Sequence, residues 1–303
     1  MPPTRSPRTL TVEAHAKVNL VLRILAREAS GYHGLETLFQ RLALHDAVTV
    51  TVDVPTRSLT CVGAALPPGG LGAAQDNLAW RAAEAYVEAA GWDTGWSLAI
   101  DKVIPVGGGL GGGSADAGAV LRALEALAPR PLGQARLLAL AGTLGADVPF
   151  LTLDASRAWG WGRGDRLLPL PPLAPMGVAL VAFNQGVETA AAYRAVAQAR
   201  SGTGAAVSAA SYPMGALDQW ASLCALGAND FEAVVPAMHP GVARVLPLLR
   251  DEAARLRAAG HPALALLSGS GATCFLLHPP EAPPLVDATA LPAGGRVVAT
   301  RTA

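Results

Sequence analysis

Lysine is almost missing from this chain. Of 23 basic residues only Lys17 and Lys102 are lysines, and the remainder are arginines. A guanidinium has taken nearly every place that asks for a cation. The two ammonium groups therefore mark positions where a compact charge on a flexible stem is wanted, or are chance survivors on a surface. Cysteine is scarce as well. Cys61, Cys224 and Cys274 are widely spaced, odd in number and form no CxxC pair. That argues against a disulfide framework or a cysteine zinc site and leaves three small buried hydrophobes. Neither sign of charge dominates: 23 basic side chains face 23 acidic ones, so there is no general pull toward nucleic acid or anionic lipid. Apolar runs such as Val178 to Phe183 fall far short of the roughly 20 residues a spanning helix needs. The N-terminal stretch is broken by Glu13, His15 and Lys17 and contains no signal core. The expectation is a cytoplasmic chain with neither membrane nor nucleic acid as partner.

What is present suits a folded body. The chain has 303 residues, 51% of them apolar, with 33 glycines and 24 prolines, a length that suggests two domains. The proline-dense stretch from Leu168 to Pro175 is the expected boundary, giving domains 1–168 and 169–303. Thr9 to Val21 reads as a strand with Val12, Ala14, Ala16, Val18 and Leu20 on one face, and Glu13, His15, Lys17 and Asn19 on the other. Ala47 to Val54 reads as a second strand, closed by Pro55. Asp76 or Asn77 caps a helix with Leu78, Ala82, Ala85, Tyr86 and Ala89 on one stripe, stopped by Gly91. A strand from Trp96 to Ile100 is followed by a glycine run and a helix that buries Val120, Leu121, Leu124 and Leu127 before Pro129. Another helix covers about Gln134 to Leu144. Ser201 to Ser211 is a small-residue loop, Ser268 to Thr273 a second glycine turn, and Cys274 to Leu277 an apolar strand; Met1 to Arg8 is expected to fray.

Six glycines lie among the seven residues from Gly107 to Gly113. Each costs backbone entropy, so the run makes sense where the main chain must take φ > 0 and approach a ligand closely. The following helix start, which Ser114 can cap, carries partial positive charge, and strand, glycine run and helix together suit a polyphosphate; a plain turn or lid is the bland alternative. The Walker pattern is absent because Lys102 precedes the glycines. GxGxxG is met by Gly107, Gly109 and Gly112, but Glu125 falls inside the helix rather than at the end of a second strand, as a dinucleotide fold requires.

The segment from Pro105 to Ala117 resembles the central motif of the GHMP kinases, the superfamily of galactokinase, homoserine kinase and mevalonate kinase. Ala14-His-Ala-Lys-Val-Asn-Leu resembles their first motif, and Ser268-Gly-Ser-Gly-Ala-Thr-Cys their third. Gly31-Tyr-His, Thr37-Leu-Phe-Gln, Gly145-Ala-Asp-Val-Pro-Phe and Asn229-Asp-Phe-Glu look like the branch of that superfamily acting on a cytidine-diphosphate-linked methylerythritol. The resemblance implies an α/β (α+β) fold with an N-terminal ribosomal-S5-like domain, a C-terminal ferredoxin-like domain and an active site between them. It implies ATP with Mg²⁺, and phosphorylation of the 2-hydroxyl of that small molecule in the non-mevalonate isoprenoid route.

It also implies roles. Asp147 matches the general base and Lys17 its electrostatic partner; read alone, they are a loop or capping Asp and an exposed strand residue. Asn19 resembles the hydrogen-bonding residue on the substrate side, or is a polar edge residue. Tyr32 and His33 match the pair that stacks on and hydrogen-bonds the cytosine. Tyr193 lies where the family has a second aromatic, or is a core tyrosine. Pro105, Gly107, Gly108, Gly109, Leu110, Gly111, Gly112, Gly113 and Ser114 would hold the nucleotide phosphates, with Asn77 and Lys102 near the adenosine. Gly269, Ser270 and Gly271 would support the substrate diphosphate. His15, His45, His239, His261 and His278 show no ligand spacing, so no protein metal ligand is expected. The competing readings are another GHMP kinase (homoserine or mevalonate type), a nicotinamide oxidoreductase and a ribosomal-type RNA binder.

Overall fold

The structure is a computed structural model that describes residues 6–27, 33–201, 212–286 and 291–303. Its contacts form two compact units whose segments alternate along the chain. The first comprises Met1–Ala16, Leu44–Val106 and Gly111–Asp154; the second comprises Lys17–Ala43, Gly107–Leu110 and Ala155–Ala303. Two long strands, β1 (Arg8–Arg27) and β2 (His33–Val54), each contribute to both.

In the first unit the sheet runs β3-β4-β2-β1, with β3 at Ser58–Val62 and β4 at Gly95–Asp101. β4 pairs antiparallel with β2, setting Val48, Val50 and Val52 opposite Ile100, Leu98 and Trp96. The helices are α1 (Leu78–Ala89), α2 (Gly112–Leu127), α3 (Gln134–Leu144) and the short α4 (Val148–Thr152). Alternation along β1 buries Ala14 and Ala16, and Val48, Val50 and Val52 of β2, Ala82 and Tyr86 of α1, and Leu121 and Leu124 of α2 are buried as well. The start of α1 is capped by the Asn77 side chain, which accepts from Ala79 N at 2.9 Å. Gly91, at φ +57°, ends that helix. The buried stripe of α1 is Ala79, Trp80, Ala82, Ala83, Tyr86 and Val87. It is rotated from the expected one: Ala89 is exposed, Leu78 and Ala85 only half-buried. Tyr86 Oη donates to Glu125 at 2.6 Å, and the same carboxylate accepts from Leu132 N and Gly133 N. Gly118 lets α2 approach α4 closely, since a Cβ there would lie 2.7 Å from the Leu151 carbonyl oxygen.

In the second unit β5 (Arg157–Gly162) pairs antiparallel with the first half of β2, β6 (Arg166–Leu170) with β5, and β8 (Ala228–Asn229) parallel with β1. A second sheet holds β7 (Gly177–Phe183), β9 (Leu264–Leu267), β10 (Cys274–His278) and β11 (Gly295–Arg301) in the order β11-β7-β10-β9, antiparallel throughout. That order, fourth-first-third-second, is the ferredoxin-like one expected. Helices α5 (Thr189–Ser201), α6 (Trp220–Leu226), α7 (Val235–Met238) and α8 (Pro240–Ala258) complete the unit. Val242, Val245, Leu246 and Leu249 of α8 pack with Val181, Leu267 and Leu276 in one core.

Several expectations change. β1 begins at Arg8, whose guanidinium binds Asp53 at 3.0 Å and the Leu127 carbonyl at 2.7 Å, so this residue is anchored rather than frayed. β2 begins at His33, well before the expected Ala47. Cys224 and Cys274 are buried, and burial pushes their thiols up to about 11 and about 12, but Cys61 is only half-buried. Among the described residues no helix is long and apolar enough to cross a membrane.

Candidate active site

Lys17 and Asn19 leave β1 on the same side, as the period-2 pattern requires, but they are not at a surface. Both are buried, because Leu110, Thr37, Phe39 and Gly269 of the same unit surround them. Lys17 Nζ donates to Asn19 Oδ1 at 2.8 Å and lies 5.9 Å from the Phe39 ring centroid. Asn19 Nδ2 donates to Thr37 Oγ1 at 2.7 Å, and Thr37 Oγ1 donates to the Val21 carbonyl at 2.8 Å. The readings of an exposed lysine and an edge asparagine are therefore corrected.

The glycine run is held by its carbonyls. Gly108 O accepts from Thr273 N at 3.1 Å, Gly109 O from Ser268 Oγ at 3.0 Å, and Leu110 O from Lys17 N at 2.9 Å. In a trans peptide the N–H points opposite to the C=O, so the amides of Gly109, Leu110 and Gly111 are turned away from these partners. Gly107, Gly109 and Gly111 have φ of +75°, +77° and +73°, which is what the glycines are for. Helix α2 starts at Gly112, so the N–H groups of Gly112, Gly113 and Ser114 have no acceptor within the helix. A Cβ on Gly113 would meet nothing within 4 Å. The amides and the open approach fit a polyphosphate. Ser114 is the third residue of α2 rather than its cap; Gly111 occupies the cap position and no side chain caps there. Pro105 and Leu110 are buried and serve the loop through the backbone.

Lys102 is corrected most clearly. Its side chain is 2% exposed, with Nζ 2.5 Å from Asp46 Oδ2 and 2.6 Å from Asp116 Oδ2. An ammonium enclosed by two carboxylates does not reach an adenosine. It braces the segment before the glycines, where Asp46 Oδ1 also accepts from Val103 N and Ile104 N. Burial opposes the charge on Lys102, but Asp116 and Asp46 together hold its pKa above the ordinary value. Burial also pushes the Asp116 carboxyl up to about 7, with Lys102 pulling it down and Asp46 pushing it up. Asp46 collects Lys102 and two backbone donors, whereas Asp116 meets Lys102 through Oδ2 and its Oδ1 is buried without a hydrogen-bond partner.

Asn77 spends its side-chain oxygen on capping α1. Asp147 sits at the start of α4, half-buried, and makes no capping bond, so a purely capping role is not what it performs. Gly269 and Gly271 have φ of +56° and +93°, and Ser270 Oγ is 2.8 Å from Thr189 Oγ1. The Tyr193 ring packs edge-on against Phe231 at 4.9 Å beside the core. His33 opens β2, and its side chain, like Tyr32 altogether, lies outside the described residues.

Three residues of the Asn229-Asp-Phe-Glu segment gain functions that the sequence did not reveal. Asn229 Nδ2 donates to Leu267 O and Gly269 O, both at 2.8 Å, fixing the second glycine turn. Glu232 accepts from Leu267 N at 2.7 Å, and Asp230 gathers Arg23, Arg200 and Ile24 N. Spacing alone also hid one cluster of donors. Glu13, His15 and His45 bring ligand atoms within 4.8 Å of one another, a set whose chemistry could hold a divalent cation. Its His15 and His45 Nε2 atoms lie 3.1 and 3.7 Å from the Glu13 carboxylate, which is largely exposed.

A strand-flanked glycine loop opening a helix, with a ferredoxin-like sheet elsewhere in the chain, defines the GHMP kinase class. Residues 77–154 match the family described as GHMP kinases N terminal domain. The fold is shared with the crystal structure of homoserine kinase from Cytophaga hutchinsonii at a TM-score of 0.61 and 16% identity, covering 100% of this chain and 96% of that one. Sequence narrows the class. The 4-diphosphocytidyl-2-C-methyl-D-erythritol kinase of Geobacter metallireducens is 37% identical over 275 residues, 90% of this chain and 91% of the relative. A crystal structure of 4-(cytidine 5'-diphospho)-2C-methyl-D-erythritol kinase superposes with a TM-score of 0.69 at 34% identity, covering 97% and 99% of the two chains. The chain belongs to the 4-diphosphocytidyl-2-C-methyl-D-erythritol kinase family.

Proposed function

We infer that this chain transfers the terminal phosphoryl group of ATP to the 2-hydroxyl of 4-diphosphocytidyl-2-C-methyl-D-erythritol, in the cytoplasm and on the non-mevalonate route to isoprenoids. The observation that supports the reading is the glycine loop, tied down by its carbonyls so that the amides of Gly109, Leu110 and Gly111 turn away from those partners, an arrangement that suits an anion. Transfer of this kind is a matter of positioning and of charge on phosphate oxygens. Asp147 takes the proton of the attacking hydroxyl as its oxygen bonds to phosphorus and ADP departs. Lys17 neutralises charge that develops on the transferring group. Gly107 to Gly113 and the amide of Ser114 hold the nucleotide phosphates, with Asn77 toward the adenosine. Gly269, Ser270 and Gly271 hold the substrate diphosphate, and Tyr32 and His33 the cytosine. Mg²⁺ enters with ATP and supplies charge neutralisation at the phosphates.

The test is ADP release with this cytidyl substrate, homoserine and mevalonate, alongside Lys17→Ala and Asp147→Asn. Strong preference for the cytidyl substrate and loss of turnover in both folded variants is expected. Turnover within about tenfold of the parent in both variants removes the assignments.

A further inference from the structure

We propose that Thr37 is a positioning residue for phosphoryl transfer, fixing which way the Asn19 amide faces and thereby where the Lys17 ammonium stands. The inference rests on the role given to Lys17 above. The argument runs through hydrogen-bond polarity. An ammonium can only donate and a backbone carbonyl can only accept. Between Lys17 Nζ and Val21 O lie an amide and a hydroxyl, linked at 2.8, 2.7 and 2.8 Å. The threonine has one proton, and it goes to the Val21 carbonyl. Its oxygen must therefore accept from Asn19, so Nδ2 faces Thr37 and Oδ1 faces Lys17. The asparagine direction, ordinarily ambiguous, is dictated by the two one-way ends of the chain.

Without the hydroxyl the Asn19 Nδ2 donor loses its acceptor, and the direction is held from the Lys17 end alone. A flipped amide would present its NH₂ group to the ammonium, and Lys17 would lose an acceptor in a site where it is only 3% exposed. The four side chains form a compact patch: Lys17 and Asn19 are two residues apart on β1, and Thr37 and Phe39 two apart on β2. Asn19 thus spends a donor and an acceptor inside the protein, which makes it part of the scaffold of Lys17 as well as a neighbour of substrate. A second observation supports the placement. Gly160 of β5 pairs with Thr37, and a Cβ there would stand 3.0 Å from Thr37 Cγ2 and 3.0 Å from Phe39 Cε2. The bare residue keeps room for the rotamers the relay uses.

Steady-state kinetics with ATP and the cytidyl substrate on Thr37→Val, Thr37→Ser, Asn19→Asp and the double variant test this. Thr37→Val should lower kcat by roughly 100-fold, the size of a misplacement near one ångström, with both KM values nearly unchanged. Thr37→Ser, which keeps the hydroxyl, should restore turnover. An aspartate at position 19 shows oxygen in either orientation, so Thr37→Val should cost far less in the Asn19→Asp background. An equal cost in both backgrounds, or wild-type kcat in Thr37→Val while Lys17→Ala is inactive, overturns the proposal. Turnover by Lys17→Ala instead overturns the role of Lys17 itself. If Thr37→Val does not fold, Gly160→Ala displaces the same threonine and should show the same kcat loss and the same relief by Asn19→Asp; its absence counts against the relay.

Discussion

Ser268 gives its hydroxyl proton to the carbonyl of Gly109, and a Cβ at Gly109 would stand 2.1 Å from the Ser268 carbonyl oxygen. Two turns 159 residues apart in the chain are thus in contact. Gly109→Ala should therefore fail twice, by overlap and by holding a side chain at φ +77°, a strain of roughly 1–3 kcal/mol. The variant should melt well below the parent and lose most of its kcat/KM for ATP. Ser268→Ala removes only a hydrogen bond, about 1 kcal/mol, and should be much milder. Equal melting temperatures for Gly109→Ala and the parent would contradict the contact.

Gly113 separates stability from binding. Its Cβ position is open and the residue is exposed in the first turn of α2, so Gly113→Ala should leave the melting temperature unchanged or raise stability by up to about 1 kcal/mol. The methyl would stand where phosphates approach the helix start. KM for ATP should rise about tenfold, equivalent to ~1.4 kcal/mol. An unchanged KM would mean that the nucleotide does not come close at this residue.

Asp116 predicts a pH dependence. Its folded pKa is raised to about 7 from an ordinary 3.8, chiefly by burial. Between those values the native chain keeps a proton that the unfolded chain has released, so stability falls as pH rises through that window and levels off above it. Urea midpoints taken across the interval should decline in the parent. In Asp116→Asn that component of the slope should vanish; an unaltered slope would place the titration elsewhere.

Tyr86 and Glu125 give a stability test away from the phosphate loop. Tyr86→Phe keeps the ring and removes the donor 2.6 Å from the carboxylate. The loss expected for a hydrogen bond to a charged group is roughly 1.5–3 kcal/mol, read from urea unfolding. Turnover at saturating substrates should be unaffected, and a large kcat change would show that the pair does more than join α1 to α2.

Local chemistry was legible in the sequence and distant coverage was not. A cap at Asp76 or Asn77, Gly91 as a stop and Pro129 just beyond α2 act within one helical turn and were readable, the choice of Asn77 falling to the structure. That Lys17 and Asn19 share a face follows from strand periodicity. Their burial does not, because the residues around them include Leu110 and Gly269, brought in by the fold from far along the chain. Lys102 shows the same limit. Composition singled it out as one of two ammonium groups, but its partners Asp46 and Asp116 are 56 and 14 residues away, and only the fold distinguishes a brace from a ligand contact. The rotated stripe of α1 has a simpler origin: alanines are so frequent there that several faces look equally apolar.

The alternation of the two compact units along the chain bears on how the protein is made. Residues 17–43 leave the ribosome early, yet Leu22, Ile24 and Leu35 belong to a core completed by Phe231, Leu246 and Leu276. Until translation has passed those late positions, greasy strand segments have no mates, and prematurely terminated products should be sticky. No single scission of the polypeptide yields both units whole, so half-length fragments are poor starting points for expression.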